Sequence, residues 1–306
     1  MTIADTSQTQ LAYVVETTLG TTPATPTFTK LRYTGESLSP NITTTTSAEI
    51  RSDRNITDLI QTGQNAGGSV DFELSYGAFD TLLESVMFGA WTTNVLKNGT
   101  TQKGLTIEKL FETGATDNYH RFTGAVADTL SLSVKIGEVV KGSFGFLTMG
   151  MSSAQAAIAG ATYSAATAND VINAATNFAS LTMTGITSPS VTGIDLSITN
   201  NLRTQPVLGS LSSVGIGTGT FEVTGTLEAY FENKDLYEAY LNGTSSTLSF
   251  KLGGTSSKNY VFLLGKIKFE KADVFADGQN KDVMVKMNFR GLFDGTDNTL
   301  KITRTA

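Results

Sequence analysis

Apolar and polar residues alternate along most of the chain. Val70, Phe72, Leu74 and Tyr76 interleave with Ser69, Asp71, Glu73 and Ser75, and Leu130, Leu132, Val134 and Ile136 interleave with Ser131, Ser133 and Lys135. The same period recurs at Ile194/Leu196/Ile198, Leu248/Phe250/Leu252, Val283/Val285/Met287/Phe289 and Leu300/Ile302. A period of two places apolar side chains on one face of a strand and polar ones on the other. That is the signature of half-buried antiparallel sheets, and it predicts a mainly β protein.

Only two segments carry the helical period. Phe79, Leu82, Leu83, Val86 and Met87 form one apolar stripe, and Gly89 follows where a left-handed terminating glycine is expected. Leu236, Tyr237, Tyr240 and Leu241 form the other, with Asn233 as the expected cap and Asn242-Gly243 as the stop.

The order of elements repeats. Residues Gly67–Gly89 run strand, helix, glycine, and Gly219–Gly243 do the same. Asn118-Tyr119 opens a strand passing Gly124 and Val126, and Asn259-Tyr260 opens one passing Gly265 and Ile267. Each series closes on an alternating strand, Ser143–Met149 and Val283–Phe289. This predicts two tandem β-sandwich or barrel units, 1–153 and 154–306, each flanked by one short helix; two unrelated α+β units are the alternative. Residues Ser152–Asn177, rich in Ala, Ser, Thr and Asn, give 154–177 a linker-like character.

Each unit carries a long polar stretch before its main strand. The first, Thr43–Gly67, contains Glu49, Arg51, Asp53, Arg54 and Asp58; the second, Asn200–Gly219, contains Arg203, Gln205 and Pro206. Stretches this long inside a domain are functional or disordered. Extended hairpin arms reaching to neighbouring subunits are expected, with disordered surface loops as the alternative.

Composition narrows the function. Charged residues are 16% of the 306 and apolar residues 40%. A sparsely charged surface is easily desolvated, which suits protein–protein contact. The net charge is −6 and no basic patch stands out, so tight nucleic-acid binding is not expected. Cysteine is absent, so there is neither a disulfide nor a thiolate metal site. Met1–Gly20 shows no basic and apolar leader, and no run approaches ~20 apolar residues, so a soluble protein assembled in cytoplasm is expected.

Chemistry is sparse. The lone histidine, His120, reads as a strand residue, and no serine sits in a nucleophile elbow. Gly215–Gly219 is glycine-rich but lacks the Lys-Ser/Thr of a phosphate loop. Asp294–Asn298 lacks the later glutamate of a calcium loop and reads as a turn. The carboxylate pairs Asp53/Asp58 and Asp273/Asp277 have no evident cleft, and Trp91 is the only tryptophan. No enzyme, cofactor or metal is expected. A carbohydrate-binding or adhesin β-module remains an alternative, as does a two-carboxylate hydrolase.

Longer strings resemble a known family. Ala48–Leu59, Gly68–Glu84, Arg121–Gly124, Leu130–Val134, Gly142–Gly145, Gly225–Glu232 and Leu300–Arg304 together resemble the phage tail tube proteins of siphophages and related prophages. The resemblance implies a β-sandwich flanked by a helix, a long loop reaching the next ring, and homo-oligomeric rings stacked into a hollow tail. A duplicated unit implies threefold rings with pseudo-sixfold symmetry. It further implies that tail terminator, tape measure and distal tail proteins are partners, and that double-stranded DNA passes through without specific binding. A terminator or distal tail ring protein is the neighbouring alternative. The contact residues expected are those of the arms: Glu49, Arg51, Asp53, Arg54, Asp58, Arg203, Gln205 and Pro206. Asp71 and Glu73 are candidates for the lumen, where an acidic wall would repel phosphates.

Overall fold

The computed structural model describes residues 3–306 apart from 115, 188 and 297. The strands, in chain order, are β1 (Thr9–Val15), β2 (Thr27–Lys30), β3 (Gly35–Glu36), β4 (Ser39–Thr46) and β5 (Leu59–Glu73). After helix α1 (Asp80–Met87) come β6 (Val95–Lys97), β7 (Leu105–Phe111), β8 (Asn118–Lys135), β9 (Lys141–Thr148), β10 (Gly150–Ala154), β11 (Thr162–Ser164) and β12 (Phe178–Thr182). Then follow β13 (Val191–Thr199), β14 (Arg203–Gln205), β15 (Gly215–Gly217) and β16 (Glu222–Tyr230). Helix α2 (Asp235–Leu241) precedes β17 (Ser246–Gly253), β18 (Asn259–Ala276), β19 (Val283–Gly291) and β20 (Lys301–Thr305). The mainly β expectation holds, with two short helices at the expected places.

One antiparallel sheet runs through the whole molecule in the order β4, β5, β9, β8, β13, β16, β19, β18, with β3 continuing the line of β4. Its inner face carries the predicted apolar alternation, among them Val70, Phe72, Phe144, Leu130, Leu132, Leu196, Leu227, Met287 and Phe289, all buried. Smaller layers cover that face. Strands β10, β8, β7, β1, β2 and β11 cover the first half, with β11 parallel to β2. Strands β12, β17, β18, β20 and β6 cover the second. The long strands β8 and β18 serve both layers. Each has a register shift in the shared sheet, at Ala127/Thr129 and at Phe269/Lys271, and such bulges bend a strand and increase its twist.

The two halves are wired alike: β5 pairs β9, β9 pairs β8 and β8 pairs β7, while β16 pairs β19, β19 pairs β18 and β18 pairs β17. Helix α1 packs on β8 and α2 on β18. The halves also interlock. β6 pairs β20 across them, and the larger of two apolar clusters runs from Leu11 to Ile302. The Tyr260 hydroxyl donates to Asp80 Oδ1 at 2.5 Å and accepts from the Gly77 amide at 2.7 Å, and Arg304 pairs with Asp80 at the start of α1. In the first half Phe72 lies 4.4 Å from Phe79 and 4.9 Å from Phe144 between ring centres. Each such buried ring contributes roughly 2–3 kcal/mol by removal from water.

Both helix ends differ in detail from the expectation, and two further stretches can be placed. Helix α1 ends on Phe88, which itself takes the left-handed conformation (φ 49°). Gly89 is required instead by proximity: a Cβ there would come 2.3 Å from the Lys97 carbonyl oxygen. In α2 the cap position is Lys234, although the Asn233 side chain still accepts from the Asp235 amide at 2.9 Å. Only Leu236 and Ala239 of α2 are buried; Leu241 and Tyr237 of the expected stripe face outward, while the helix packs on β18. The stretch 154–177 is held to the first half by β11 on β2 and by bridges from Val171 to Ser75 and from Asn173 to Val139. Around Asp294 the chain makes a turn, with the Thr296 amide donating to Asp294 Oδ1 at 2.8 Å; Asp297 lies outside the described residues.

Candidate assembly surfaces

The first polar stretch forms the hairpin β4–β5. Every residue of β4 is exposed, and β5 runs from the exposed arm straight into the core sheet. The tip, 47–58, is closed by the Ser47 amide donating to the Asp58 carbonyl at 3.0 Å. Arg51 and Asp53 form a two-pronged ion pair there, at 3.0 and 2.8 Å, and the Arg51 guanidinium holds the Asp53 carboxyl down to about 2. Both partners therefore sit on one arm. Arg54 takes a left-handed turn conformation (φ 62°), Asp58 Oδ1 accepts from the Leu59 amide at 2.8 Å, and the Glu49 amide donates to Ser47 Oγ.

The second stretch forms the smaller hairpin β14–β15, with Pro206 leading into its tip. Arg203 donates to the Thr218 carbonyl at 2.8 Å, and the Gln205 carbonyl accepts from Val214. Buried Asn200 fixes the root: its side-chain amide donates to the Val86 and Ala127 carbonyls. The two arms touch, through Gln64 to Leu211 at 2.7 Å and Ser213 to Asn65 at 3.0 Å. Both leave the shared sheet at the same end, opposite the β8–β9 turn that carries exposed Ile136, since Ala66 pairs Thr148 and Glu73 pairs Lys141.

Apolar side chains crown both arms. Ile50 and Leu208 are 98% and 99% exposed, with Ile56, Leu59 and Val214 nearby also exposed. Sequence reasoning picked the charged residues of these stretches and passed over the apolar ones. The signal was present: isolated branched residues within polar runs, in no core period.

The outer face of the shared sheet is polar. Asp71 and Glu73 lie on it, Asp71 accepting from Ser143 Oγ at 2.5 Å. Cross-strand pairs balance the rest: Lys286 with Glu228 at 2.6 Å, Arg290 with Glu270 at 2.5 Å and Glu222 at 3.1 Å, and Lys135 near Asp195 at 3.9 Å. The carboxylates raise the affinity of Lys286 and Arg290 for their protons. The three cations named on this face thus each lie beside a carboxylate.

His120 sits on β8 with its ring edge-on to Phe111 at 5.2 Å, and burial, then Lys109, disfavours its charged form. Trp91 is covered by the Arg304 guanidinium at 4.4 Å.

The chain combines a β-rich fold and an open-ended sheet with protruding arms that carry exposed apolar side chains. The chain belongs to the phage tail tube protein family, whose model matches residues 6–291, nearly the whole chain. It is accordingly a structural component of the phage tail, and the family implies self-assembly into a tube together with other tail proteins. A comparison with curated proteins gives no match.

Proposed function

We propose that this chain is the repeating subunit of the hollow tube of a long, non-contractile tail, assembled in the bacterial cytoplasm as stacked rings through which DNA leaves the capsid. The observation that carries the reading is a single sheet crossing the molecule that ends on one strand at each border, with both arms at one end. An unpaired sheet edge invites another strand, and a ring removes every edge. The like wiring of the two halves supports a duplicated unit, 1–153 and 154–306, so that three chains supply six places around one ring.

Stacking is the second contact. Arms on one end and turns on the other make a head-to-tail contact that does not close on itself and so propagates as a filament. The exposed Ile50, Ile56 and Leu208 supply apolar area to it; Arg51, Asp53, Arg54, Asp58, Glu49, Arg203, Gln205 and Pro206 frame that area. The outer face of the sheet, with its cations paired and with Asp71 and Glu73 on it, lines the lumen. Without a surplus of cations it releases few counterions from DNA and holds it weakly. Tape measure, terminator and distal tail proteins meet the tube inside and at its ends.

Purified protein imaged by cryo-electron microscopy should show hollow filaments with threefold rings. Deleting 48–57 should leave rings that do not stack. Rings that never stack in the intact protein would place it with terminator or distal tail proteins, and a persistent monomer that selects glycans would overturn the reading.

A further inference from the structure

The tripeptide Asn-Gly-Thr occurs twice, as Asn98-Gly99-Thr100 after α1 and as Asn242-Gly243-Thr244 at the end of α2. Asparagine before glycine carries a latent reaction. The glycine backbone nitrogen, once it has lost its proton to solvent, attacks the asparagine Cγ, since glycine has no side chain to shield the approach. A bond forms between that nitrogen and Cγ, the bond from Cγ to the side-chain nitrogen breaks, and ammonia leaves a cyclic succinimide. Water then opens the ring at either carbonyl, giving aspartate or isoaspartate. The reacting residues are the same at both places, so the fold sets them apart.

The first copy is held at the atoms the reaction needs. Asn98 Oδ1 accepts from the Thr299 and Leu300 amides at 3.0 and 3.2 Å, which fixes the carboxamide against the second half of the molecule. The Asn98 carbonyl accepts from the Asn298 side-chain amide. The Gly99 amide donates to the Met87 carbonyl at 2.9 Å, so the attacking nitrogen is occupied. Gly99 is also packed against the end of α1: a Cβ there would come 2.6 Å from the Phe88 carbonyl oxygen.

The second copy is open. Asn242 and Gly243 are both exposed, and nothing lies within 4 Å of a Cβ built at Gly243. Among the described residues, nothing bonds the Asn242 carboxamide. The Gly243 amide donates to the Tyr240 carbonyl at 3.0 Å, within the last turn of α2. That turn is weakly held. The helix has seven residues, of which Leu236 and Ala239 are buried, and Leu241 beside the site is exposed. A helix this short is not stable by itself, and its ends open first. Opening frees the Gly243 nitrogen and lets the peptide rotate away from the Asn242 ψ of −3° towards Cγ.

We propose that Asn242 is a site of spontaneous deamidation and that Asn98 is protected from it. The product places a carboxylate at the C-terminal end of α2, where the helix dipole disfavours negative charge, and four residues beyond Glu238. Isoaspartate also lengthens the main chain by a carbon, which displaces the Gly243 and Thr244 amides from the Tyr240 and Ala239 carbonyls. The reaction therefore loosens the end of α2 while Leu236 and Ala239 stay in the core. It is a property of the subunit alone and does not depend on the tube reading.

The test is to hold the intact protein at mildly alkaline pH and follow both tripeptides by peptide mass spectrometry. Conversion at Asn242 should outrun that at Asn98 by roughly tenfold or more, the effect of the two hydrogen bonds on the Asn98 carboxamide. In strong urea the two should convert at similar rates, and isoaspartate should exceed aspartate, the mark of the ring intermediate. Asn242→Asp should speed amide hydrogen exchange over 239–244 by about threefold, through the dipole and Glu238. Equal conversion in the folded protein would overturn the proposal, as would an unreactive Asn242 under conditions where the urea-treated chain converts. A difference that persists in urea would overturn the role of the fold, and aspartate alone would overturn the ring route. Unchanged exchange in Asn242→Asp would overturn the loosening of α2.

Discussion

Tyr260 ties the two halves together through one oxygen. It donates to Asp80 and accepts from the Gly77 amide, so Tyr260→Phe leaves two polar groups short of a partner. A loss of about 1–3 kcal/mol in unfolding free energy is expected from chemical denaturation. Burial first, and Asp80 second, raise the Tyr260 phenol above its ordinary 10.0; burial and Glu108 raise Tyr163 likewise. In both, the folded state holds its proton more tightly than the unfolded one. Their contribution is therefore complete below pH 10 and falls as pH rises beyond it. Unfolding curves from pH 9 to 11 should show stability dropping, less steeply in Tyr163→Phe and Tyr260→Phe. At the arm tip the sign reverses: Arg51 lowers Asp53 to about 2, so the pair persists above pH 3.8 and is lost as pH falls through 2. Nuclear magnetic resonance titration should find that midpoint, and Arg51→Ala should return it towards 3.8.

The elements divide into those that hold the fold and those that reach out of it. The arm tips belong to the second kind. Ile50→Ser with Leu208→Ser should shorten tubes seen by electron microscopy while leaving thermal unfolding of the subunit within experimental scatter, since both side chains are almost wholly exposed. The root of the first arm belongs to the first kind. Gly68 has φ 143°, and a Cβ there would come 2.4 Å from the Ser37 carbonyl oxygen. Gly68→Ala should cost more than about 1 kcal/mol and displace the strand that carries Leu38, so both stability and assembly should fall. Measured together, these variants separate loss of contact from loss of fold.

At the scale of the whole molecule, one antiparallel sheet joins the two halves where β13 pairs β8, and the junction is closed by buried Leu130, Leu132, Leu196 and Ile198 rather than by charge. Salt screens exposed charges and leaves apolar burial in place. Thermal unfolding across a salt series up to about 0.5 M should therefore show one cooperative transition, without an early step in which the halves part.

The strands at Val70–Glu73, Leu130–Lys135, Ile194–Ile198 and Val283–Phe289 were legible in the chain because period two is a local property: each residue's face follows from its neighbour's. The helices were legible for the same reason, as were the positions of both arms, where the period stops. Other features depended on residues far apart. Phe88 takes the left-handed turn while Gly89 is required by the Lys97 carbonyl lying against it, and α2 keeps half its stripe exposed because its packing on β18 buries only Leu236 and Ala239. The ion pairs of the outer face join partners such as Glu228 and Lys286, adjacent only once β16 and β19 pair. Alternation alone therefore determined which side chains face the core, while strand order, set by long-range pairing, decided which strands lie side by side and which stand at the borders.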